Sequence, residues 1–199
     1  MQSSFYKKKG KRVFDIVLSL CGLLLLSPLF IITAVLIKVT SKGDIFYIQK
    51  RVGQGFKEFD LYKFRSMKNE KGLQITSKDD PRITKVGKFI RKTKIDELPQ
   101  LLNVLKGDMS LVGPRPEVKK YVELFQEDYK KILSIKPGIT DLAAIEYRNE
   151  EEILSSYHDK ERAYIETILP TKIELYYKYI KNISFFNDII IILKTLKVI

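Results

Sequence analysis

The apolar and polar positions divide the chain into one long uncharged run and a series of shorter amphipathic segments. Residues 16–37 contain no charged side chain. A straight helix of that length would extend about 33 Å, which is enough to cross a hydrocarbon core of about 30 Å. Ser27 and Pro28 lie near the middle of this run, and proline removes a helical hydrogen bond and favours a break. Two arms of about 16 Å each would enter and leave the same leaflet.

Charge on both sides of the run bears on its topology. Residues 1–12 carry a net charge of +5, and further cations follow the run at Lys38, Lys42, Lys50 and Arg51. Both flanks therefore favour the cytoplasmic side, which a re-entrant hairpin permits and one straight span does not. Because proline also occurs in spanning helices, the residues alone leave both arrangements open. The expected division is a basic juxtamembrane segment (1–12), a re-entrant or spanning membrane segment (13–39) and a cytoplasmic domain (40–199).

Shorter patterns after residue 40 predict an α+β fold, in which a mostly helical domain carries a small β-hairpin. Two β-prone runs, 45–48 and 59–64, flank a glycine-containing turn over 51–55. Leucines at 98, 101, 102 and 105 follow helical spacing, with a start near Asp96 and a stop at Gly107. The spacing also predicts helices over 83–91, 116–133, 161–181 and 184–197, the last suited to a core or a membrane interface, and a loop over 69–81.

Composition narrows the chemistry that the chain can perform. It has 36 Lys and Arg against 24 Asp and Glu, a net charge of +12, and residues 50–120 alone carry +9. This charge indicates an anionic ligand: the phosphates of a small molecule, a nucleic acid or a lipid surface. One cysteine, Cys21, excludes an internal disulfide, and one histidine, His158, argues against a histidine metal site or a Ser/His/Asp relay. Catalysis would therefore rest on carboxylates, cations or a hard metal ion.

Asp96 and Glu97 are the leading candidates for that chemistry. An isolated Asp-Glu pair ordinarily caps a helix N-terminus. Here the pair belongs to the basic third of the chain, where carboxylates beside cations can bind Mg²⁺ and a diphosphate together, and where a carboxylate can accept a phosphoryl group. Arg115 stands between two prolines on a stiff backbone that suits bidentate phosphate recognition, whereas Arg148 taken alone is typical of a surface residue. The candidate cations are Lys63, Arg65, Arg91, Lys92, Lys94 and Arg115.

Five segments resemble a known family. They are residues 11–15 (KRVFD), Ser27-Pro28, residues 62–67 (YKFRSM), residues 95–116 (IDELPQLLNVLKGDMSLVGPRP) and residues 137–140 (PGIT). Together they span nearly the whole chain, and the 22-residue central segment is long and specific. The chain resembles the bacterial sugar transferase family, the monotopic phosphoglycosyl transferases.

The resemblance implies a reaction. A sugar 1-phosphate would move from a UDP-sugar to polyprenyl (undecaprenyl) phosphate with release of UMP, as the first membrane step of glycoconjugate biosynthesis. Asp96 would be the nucleophile that forms a phosphosugar intermediate, with Glu97 assisting and Mg²⁺ held near the pair. Arg148 aligns with a family arginine that binds phosphate. The residues expected to bind substrate are Lys63, Arg65, Arg91, Pro114, Arg115, Pro116 and Arg148.

The resemblance also implies surroundings for the enzyme. The break at Ser27-Pro28 would make the membrane segment re-entrant, in the bacterial cytoplasmic membrane with the catalytic domain on its cytoplasmic face. Membrane lipids and downstream glycosyltransferases would be partners, nucleic acid would not, and a homodimer is compatible with the exposed aromatic residues. The rival function is a non-enzymatic, membrane-tethered module that binds anionic lipid or nucleic acid. The chain departs from the family over 141–148 and at Tyr176, two changes that bear on the sugar, which the sequence leaves open.

Overall fold

The computed structural model describes residues 6–68 and 80–198, so the loop predicted over 69–81 lies almost entirely outside the described residues. After a π-helical turn (Tyr6–Gly10) come two helices, α1 (Lys11–Leu25) and α2 (Ser27–Thr40), bent by 61°. The break falls at Leu26, directly before Ser27 and Pro28, which confirms the predicted interruption. Pro28 lies in the first turn of α2, where its missing N–H removes no helical bond.

The outer face of the bent pair is apolar. Leu25 and Val39 are 81% and 80% exposed, and many other large apolar side chains of α1 and α2 are also exposed. Apolar surface on this scale marks a contact with a protein or a membrane. No individual helix in residues 6–68 and 80–198 has both the length and the apolar character needed to cross a bilayer, whereas α1 and α2 taken together have both.

The inner face of α1 is polar and tied to the rest of the molecule. Asp15 is buried, and its Oδ1 accepts hydrogen bonds from the Ser110 hydroxyl and the Leu111 N–H, both at 3.0 Å. The Arg12 guanidinium donates to the carbonyls of Val104 and Leu105, at 2.6 and 2.9 Å. These carbonyls belong to the last turn of a helix, where intrahelical donors run out. Two charged residues of α1 therefore fix it against the domain.

The strands β1 (Phe46–Val52) and β2 (Glu58–Phe64) form an antiparallel hairpin, as the sequence predicts. The first strand is longer than predicted, since Arg51 and Val52, which the sequence placed in the turn, pair within it. Gly55 in the turn has a φ of 65°, a left-handed conformation that glycine adopts without a steric cost.

The described residues confirm a mixed and mostly helical fold with small sheets. The remaining helices are α3 (Lys85–Lys92), α4 (Gln100–Lys106), α5 (Lys119–Leu124), α6 (Gln126–Ile132), α7 (Leu142–Glu146), α8 (Glu150–Ser155), α9 (Lys160–Ala163), α10 (Leu169–Lys181) and α11 (Phe185–Val198).

Two helix boundaries differ from the prediction. The prediction of a single helix over 116–133 is wrong. The chain leaves helical geometry at Phe125, where φ is −122°, so two helices, α5 and α6, form instead. The sequence predicts that the leucine-rich helix starts near Asp96, but residues Ile95–Glu97 form a 3₁₀ turn and α4 begins only at Gln100. The helices expected over 161–181 and 184–197 are confirmed, with a π-helical turn (Tyr164–Ile168) inside the first.

A short parallel pair, β3 (Ser110–Val112) and β4 (Gly138–Thr140), brings two distant loops together. The backbones approach so closely that a Cβ on Gly138 would lie 2.1 Å from the amide nitrogen of Gly113. Only glycine fits at such a distance. Because β3 leads into the Gly-Pro-Arg-Pro segment and β4 leads into α7, this approach sets Arg115 beside the first turn of α7.

A buried carboxylate joins the first and last described elements. Asp188 of α11 is fully buried and accepts hydrogen bonds from the hydroxyls of Tyr6 and Tyr179, at 2.7 and 2.8 Å. The Lys11 amino group forms an ion pair with Asp188 Oδ2 at 2.5 Å. Asp188 thereby links the N-terminal turn, α1, α10 and α11 through one charge that is fully hydrogen-bonded.

Replacing Gly138 with alanine should destabilise the protein, because the added Cβ must separate β4 from the Gly113 backbone. We expect a loss of about 1–3 kcal/mol in the free energy of unfolding, measured by thermal denaturation in detergent. Gly22→Ala is the matched control, since its Cβ would meet only the Leu101 side chain at 3.4 Å and alanine favours helix. Equal stability of the two variants would contradict the close approach.

Candidate active site

The 3₁₀ turn places Asp96 and Glu97 side by side. Lys94, with a φ of 55°, reverses the chain after α3, and the N–H groups of Glu97 and Leu98 bond to the carbonyls of Lys94 and Ile95. Neither carboxylate caps a helix, since no side-chain cap is present at the 3₁₀ turn or at the start of α4. The ordinary role of an Asp-Glu pair is therefore not the one adopted here.

Glu97 is held by two cations. The Arg115 guanidinium spans both carboxylate oxygens, with Nη1 at 3.1 Å from Oε2 and Nη2 at 2.5 Å from Oε1. The Lys63 amino group donates to Oε1 at 3.0 Å. Burial alone would raise the pKa of Glu97, but Arg115 and Lys63 outweigh it and hold that pKa well below its usual range. Glu97 is thus a fixed anion whose oxygens are both engaged.

Asp96 has a contrasting environment. It is 5% exposed, and its Oδ1 is buried without a hydrogen-bond partner among the described residues. Burial, and next to it the charge of Glu97, raises the pKa of Asp96 to about 6. Of two adjacent carboxylates, one is thus locked as an anion and the other is left unbonded and more basic.

The backbone around Arg115 is fixed on both sides. The carbonyl of Pro114 accepts the Gly138 N–H at 2.9 Å, and that of Pro116 accepts from the Arg51 guanidinium at 3.2 Å. The Arg115 N–H donates to Asp141 Oδ2 at 2.8 Å. The side chain is therefore presented to Glu97 from a backbone with little freedom, as the double-proline segment predicts.

Asp141 is a site residue that sequence reasoning missed. It is buried, and while Oδ2 holds the Arg115 backbone, Oδ1 caps α7 by accepting the Ala144 N–H at 2.6 Å. Burial raises the pKa of Asp141 to about 6. An aspartate directly before an apolar helix is a local signal for a cap. The second bond, to a residue 26 positions earlier, has no local signal.

A cavity of about 310 Å³ lies beside the two carboxylates. It collects most of the charged residues predicted to bind substrate: Lys63, Arg91, Arg115 and Arg148 all line it together with Asp96 and Glu97. Arg91 pairs with Glu151 and donates to the Ser66 hydroxyl at 3.3 Å. Pro114 and Pro116 act through the backbone contacts already described. Lining residues that the sequence did not single out as ligands include Tyr147, Tyr164 and Lys172.

Arg65 is the predicted substrate-binding cation that the structure does not bring into the cavity. Its guanidinium is buried and donates to the carbonyls of Ser41 and Lys42, at 2.9 and 2.6 Å, and to the Ser41 hydroxyl at 2.9 Å. These groups follow the last turn of α2. Arg65 therefore joins the β-hairpin to the end of the bent helix pair.

The donor set constrains how a metal could bind. Within residues 6–68 and 80–198, no three His, Cys, Asp or Glu side chains converge as a metal cage. Mg²⁺ does not require one, because one or two carboxylates suffice when substrate phosphates supply the other oxygens. The unpartnered Oδ1 of Asp96 fits that requirement, whereas Glu97 could join only by exchanging a contact with Lys63 or Arg115.

The sequence also matches a known family. The model for "bacterial sugar transferase" covers residues 6–199. This chain belongs to the bacterial sugar transferase family. The carboxylate pair and the Arg115 loop therefore lie within the region by which bacterial sugar transferases are recognised, and the family expected from the sequence motifs is confirmed.

Individual bacterial sugar transferases show how the similarity is distributed. UDP-N-acetylgalactosamine-undecaprenyl-phosphate N-acetylgalactosaminephosphotransferase of Aeromonas hydrophila is 42% identical over 95% of this chain and 43% of its own length. Undecaprenyl-phosphate galactose phosphotransferase of Salmonella typhimurium is 42% identical over 95% of this chain and 40% of its own length. Exopolysaccharide production protein ExoY of Rhizobium meliloti is 35% identical over 94% of this chain and 84% of its own length. The chain spans less than half the length of the first two relatives, whose names specify different sugars at equal identity.

Asp96 should reduce stability at neutral pH. The pKa of Asp96 in the folded protein, about 6, lies above its value in the unfolded chain. The stability that the protonated Asp96 allows is therefore fully present below about pH 4 and is lost as the pH rises through 6. Asp96→Asn cannot ionise and should raise the free energy of unfolding at pH 7.5 by about 3 kcal/mol, with the gain disappearing near pH 4. Thermal denaturation across this pH range measures the difference. Asp44→Asn, at an exposed position, is the matched control variant, and a gain independent of pH at position 96 would refute the assignment.

Proposed function

We propose that this bacterial sugar transferase moves a sugar 1-phosphate from a UDP-sugar to a polyprenyl phosphate and releases UMP. The observation that carries the proposal is the buried, unpartnered carboxylate oxygen of Asp96 beside an ion-paired Glu97, in a cavity lined by Lys63, Arg91 and Arg115. The names of the relatives, which pair undecaprenyl phosphate with N-acetylgalactosamine or galactose phosphotransfer, support it. No observation favours the rival function of a membrane-tethered binding module.

The first step uses Asp96 as the nucleophile. A carboxylate oxygen of Asp96 forms a bond to the β-phosphorus of the UDP-sugar, the bond from that phosphorus to the bridging oxygen breaks, and the electron pair leaves with UMP. Above about pH 6 Asp96 is mostly ionised and carries no proton that must first be removed. Lys63, Arg91 and Arg148 are placed to neutralise the negative charge that develops on the departing phosphate.

The second step regenerates the enzyme. A phosphate oxygen of polyprenyl phosphate attacks the phosphosugar on Asp96, and the Asp96 carboxylate is the leaving group as the lipid diphosphate forms. The two anionic substrates then never share the site, which avoids their mutual repulsion. Glu97 cannot compete as the nucleophile, since its oxygens are engaged by Arg115 and Lys63. Its role is to hold those two cations at the position of the phosphates.

Mg²⁺ is part of the proposal. Asp96, with Glu97 as the second candidate ligand, would hold the ion together with phosphate oxygens, and the bound ion would supply further neutralisation of charge on the diphosphate. The surrounding cations orient the donor whether or not the ion has bound. The unpartnered oxygen of Asp96 supports this placement.

We also infer that α1 and α2 enter and leave the cytoplasmic leaflet of the bacterial membrane as a re-entrant hairpin. The 61° bend and the apolar outer face support this arrangement. So do the ties of Arg12, Asp15 and Arg65 to the domain, because they hold both ends of the pair against it. The cavity would then lie at headgroup level, where the phosphate of a polyprenyl phosphate resides.

Activity can be measured as UMP release from detergent-extracted protein supplied with polyprenyl phosphate and a panel of UDP-sugars. We expect release with at least one donor, its loss on removal of Mg²⁺ with EDTA, and a loss of more than about 1,000-fold in Asp96→Asn, because the amide is not a nucleophile. Asp44→Asn, an exposed carboxylate outside the cavity, is the matched control and should retain full activity. Full activity of the Asp96→Asn variant would exclude Asp96 as the nucleophile.

The topology of the helix pair can be measured by cysteine labelling. In a Cys21→Ser background, Lys9→Cys and Asp44→Cys place single thiols at exposed positions on the two sides of the pair. In sealed inside-out vesicles, a membrane-impermeant maleimide should label both positions, and in right-side-out vesicles neither. Labelling of the two positions in opposite vesicle types would establish a straight span instead.

A further inference from the structure

One side of the cavity differs in character from the cationic side around Asp96. Four tyrosines, Tyr121, Tyr147, Tyr164 and Tyr176, line the cavity, and the last three are called here the tyrosine wall. Lys172 lies over the rings of Tyr164 and Tyr147, 5.0 and 5.9 Å from their centroids, is only 4% exposed and pairs with Glu150. The positive charge of Lys172 is therefore neutralised within the protein. This side is therefore formed by aromatic side chains and internally paired groups rather than by a net charge.

The Tyr176 hydroxyl is the unexplained group of the wall. The residue has 0% exposure and lines the cavity, but its hydroxyl has no hydrogen-bond partner among the described residues. The neighbouring Tyr164 hydroxyl, in contrast, donates to Glu117 at 2.5 Å. Burial raises the pKa of Tyr176 well above its usual value, so the hydroxyl keeps its proton and can donate. A buried hydroxyl with unused bonding capacity at a cavity wall is ready to bond a ligand.

Tyr176 is also held rigidly. It lies on α10, three residues before Tyr179, whose hydroxyl bonds Asp188 at 2.8 Å and the carbonyl of Val112 at 3.1 Å. One turn earlier on the same helix, Lys172 is fixed by its ion pair and by the two rings. The hydroxyl is thus positioned before any ligand arrives, which favours selective rather than adaptable recognition.

The proposed donor has one part that suits this wall. Its phosphates require the cations beside Asp96, whereas its sugar is uncharged, with C–H faces that pack on aromatic rings and hydroxyls that need fixed partners. We propose, on the basis of the proposed function, that the tyrosine wall contacts the donor sugar and that the Tyr176 hydroxyl bonds one of its polar substituents and so determines which sugar is accepted. A site built to bond a hydroxyl discriminates strongly against a sugar that presents none there.

The test compares donors with Tyr176→Phe, which removes one oxygen and keeps the ring. The rate constant kcat/KM for UMP release is measured for UDP-glucose, UDP-galactose and their N-acetylated counterparts. We expect kcat/KM to fall about tenfold for the preferred donor and less than about twofold for the donors that the wild type uses poorly. The difference in kcat/KM between donors therefore becomes smaller in the variant. Calorimetric titration with UMP should give the same affinity in the variant and the wild type.

Tyr129→Phe is the matched control. Tyr129 is also buried with an unpartnered hydroxyl but does not line the cavity, so its removal should leave the donor preference unchanged. An unchanged preference in Tyr176→Phe would overturn the inference, as would a uniform loss for all donors with weaker UMP binding, which would place the contact on the nucleotide. If the wild type releases no UMP from any donor, the proposed function itself fails, a result distinct from an active enzyme with unaltered preference.

Loss of folding is separable from loss of the contact. Tyr176→Phe should have a thermal midpoint at least equal to that of the wild type, since it removes an unsatisfied buried group. In an Asp96→Asn background, where the donor binds without turnover, the preferred UDP-sugar should raise the midpoint less in the Tyr176→Phe protein than in its parent. An equal increase in both would contradict the proposed contact.

Discussion

The buried ion pair of Glu97 with Arg115 and Lys63 is the interaction on which the site depends. It joins three pieces of chain that are far apart in sequence: the 3₁₀ turn, the Gly-Pro-Arg-Pro segment and β2. A buried carboxylate is tolerable only when cations and hydrogen bonds compensate for its desolvation. The same compensation leaves the adjacent Asp96 as the carboxylate with a free oxygen. The geometry of the site and the contrast between its two carboxylates thus have one electrostatic cause.

The fixed charges continue from the site toward the bent helix pair. Arg12 donates a hydrogen bond to a carbonyl in the last turn of α4, the helix that follows the two carboxylates. Asp15 accepts a hydrogen bond at the start of β3, the strand that leads to Arg115. Arg65 closes the end of α2 against the β-hairpin that carries Lys63. Each tie is a charged side chain bonded to backbone or hydroxyl groups, which fixes direction as well as distance. The apolar pair and the charged cavity therefore have a set orientation to each other.

Sequence patterns predicted what local spacing controls. The leucines of α4, the glycines of the hairpin turn and the break before Pro28 are each determined by neighbours along the chain, and Asp96, Glu97 and Arg115 lie in segments with such local signals. Phe125 interrupts a helix without glycine or proline, so nothing in the spacing marked it. Arg65 shows a second limit, since a cation that completes a helix end has the same residue type as one that binds phosphate. The role of Asp141 depends on Arg115, a partner that only the folded chain brings near.

The bond between Tyr6 and Asp188 has a consequence for the order of assembly. It joins residues 182 positions apart, and α11 also contributes Thr195 and Val198 to the cavity wall. During synthesis the bent helices leave the ribosome before α11 does, so the cavity is still open along one side after the apolar helix pair has been made. Contacts between such distant residues form slowly. The cavity therefore becomes complete only when α11 has packed against the turn at Tyr6, after the apolar helix pair has already been made.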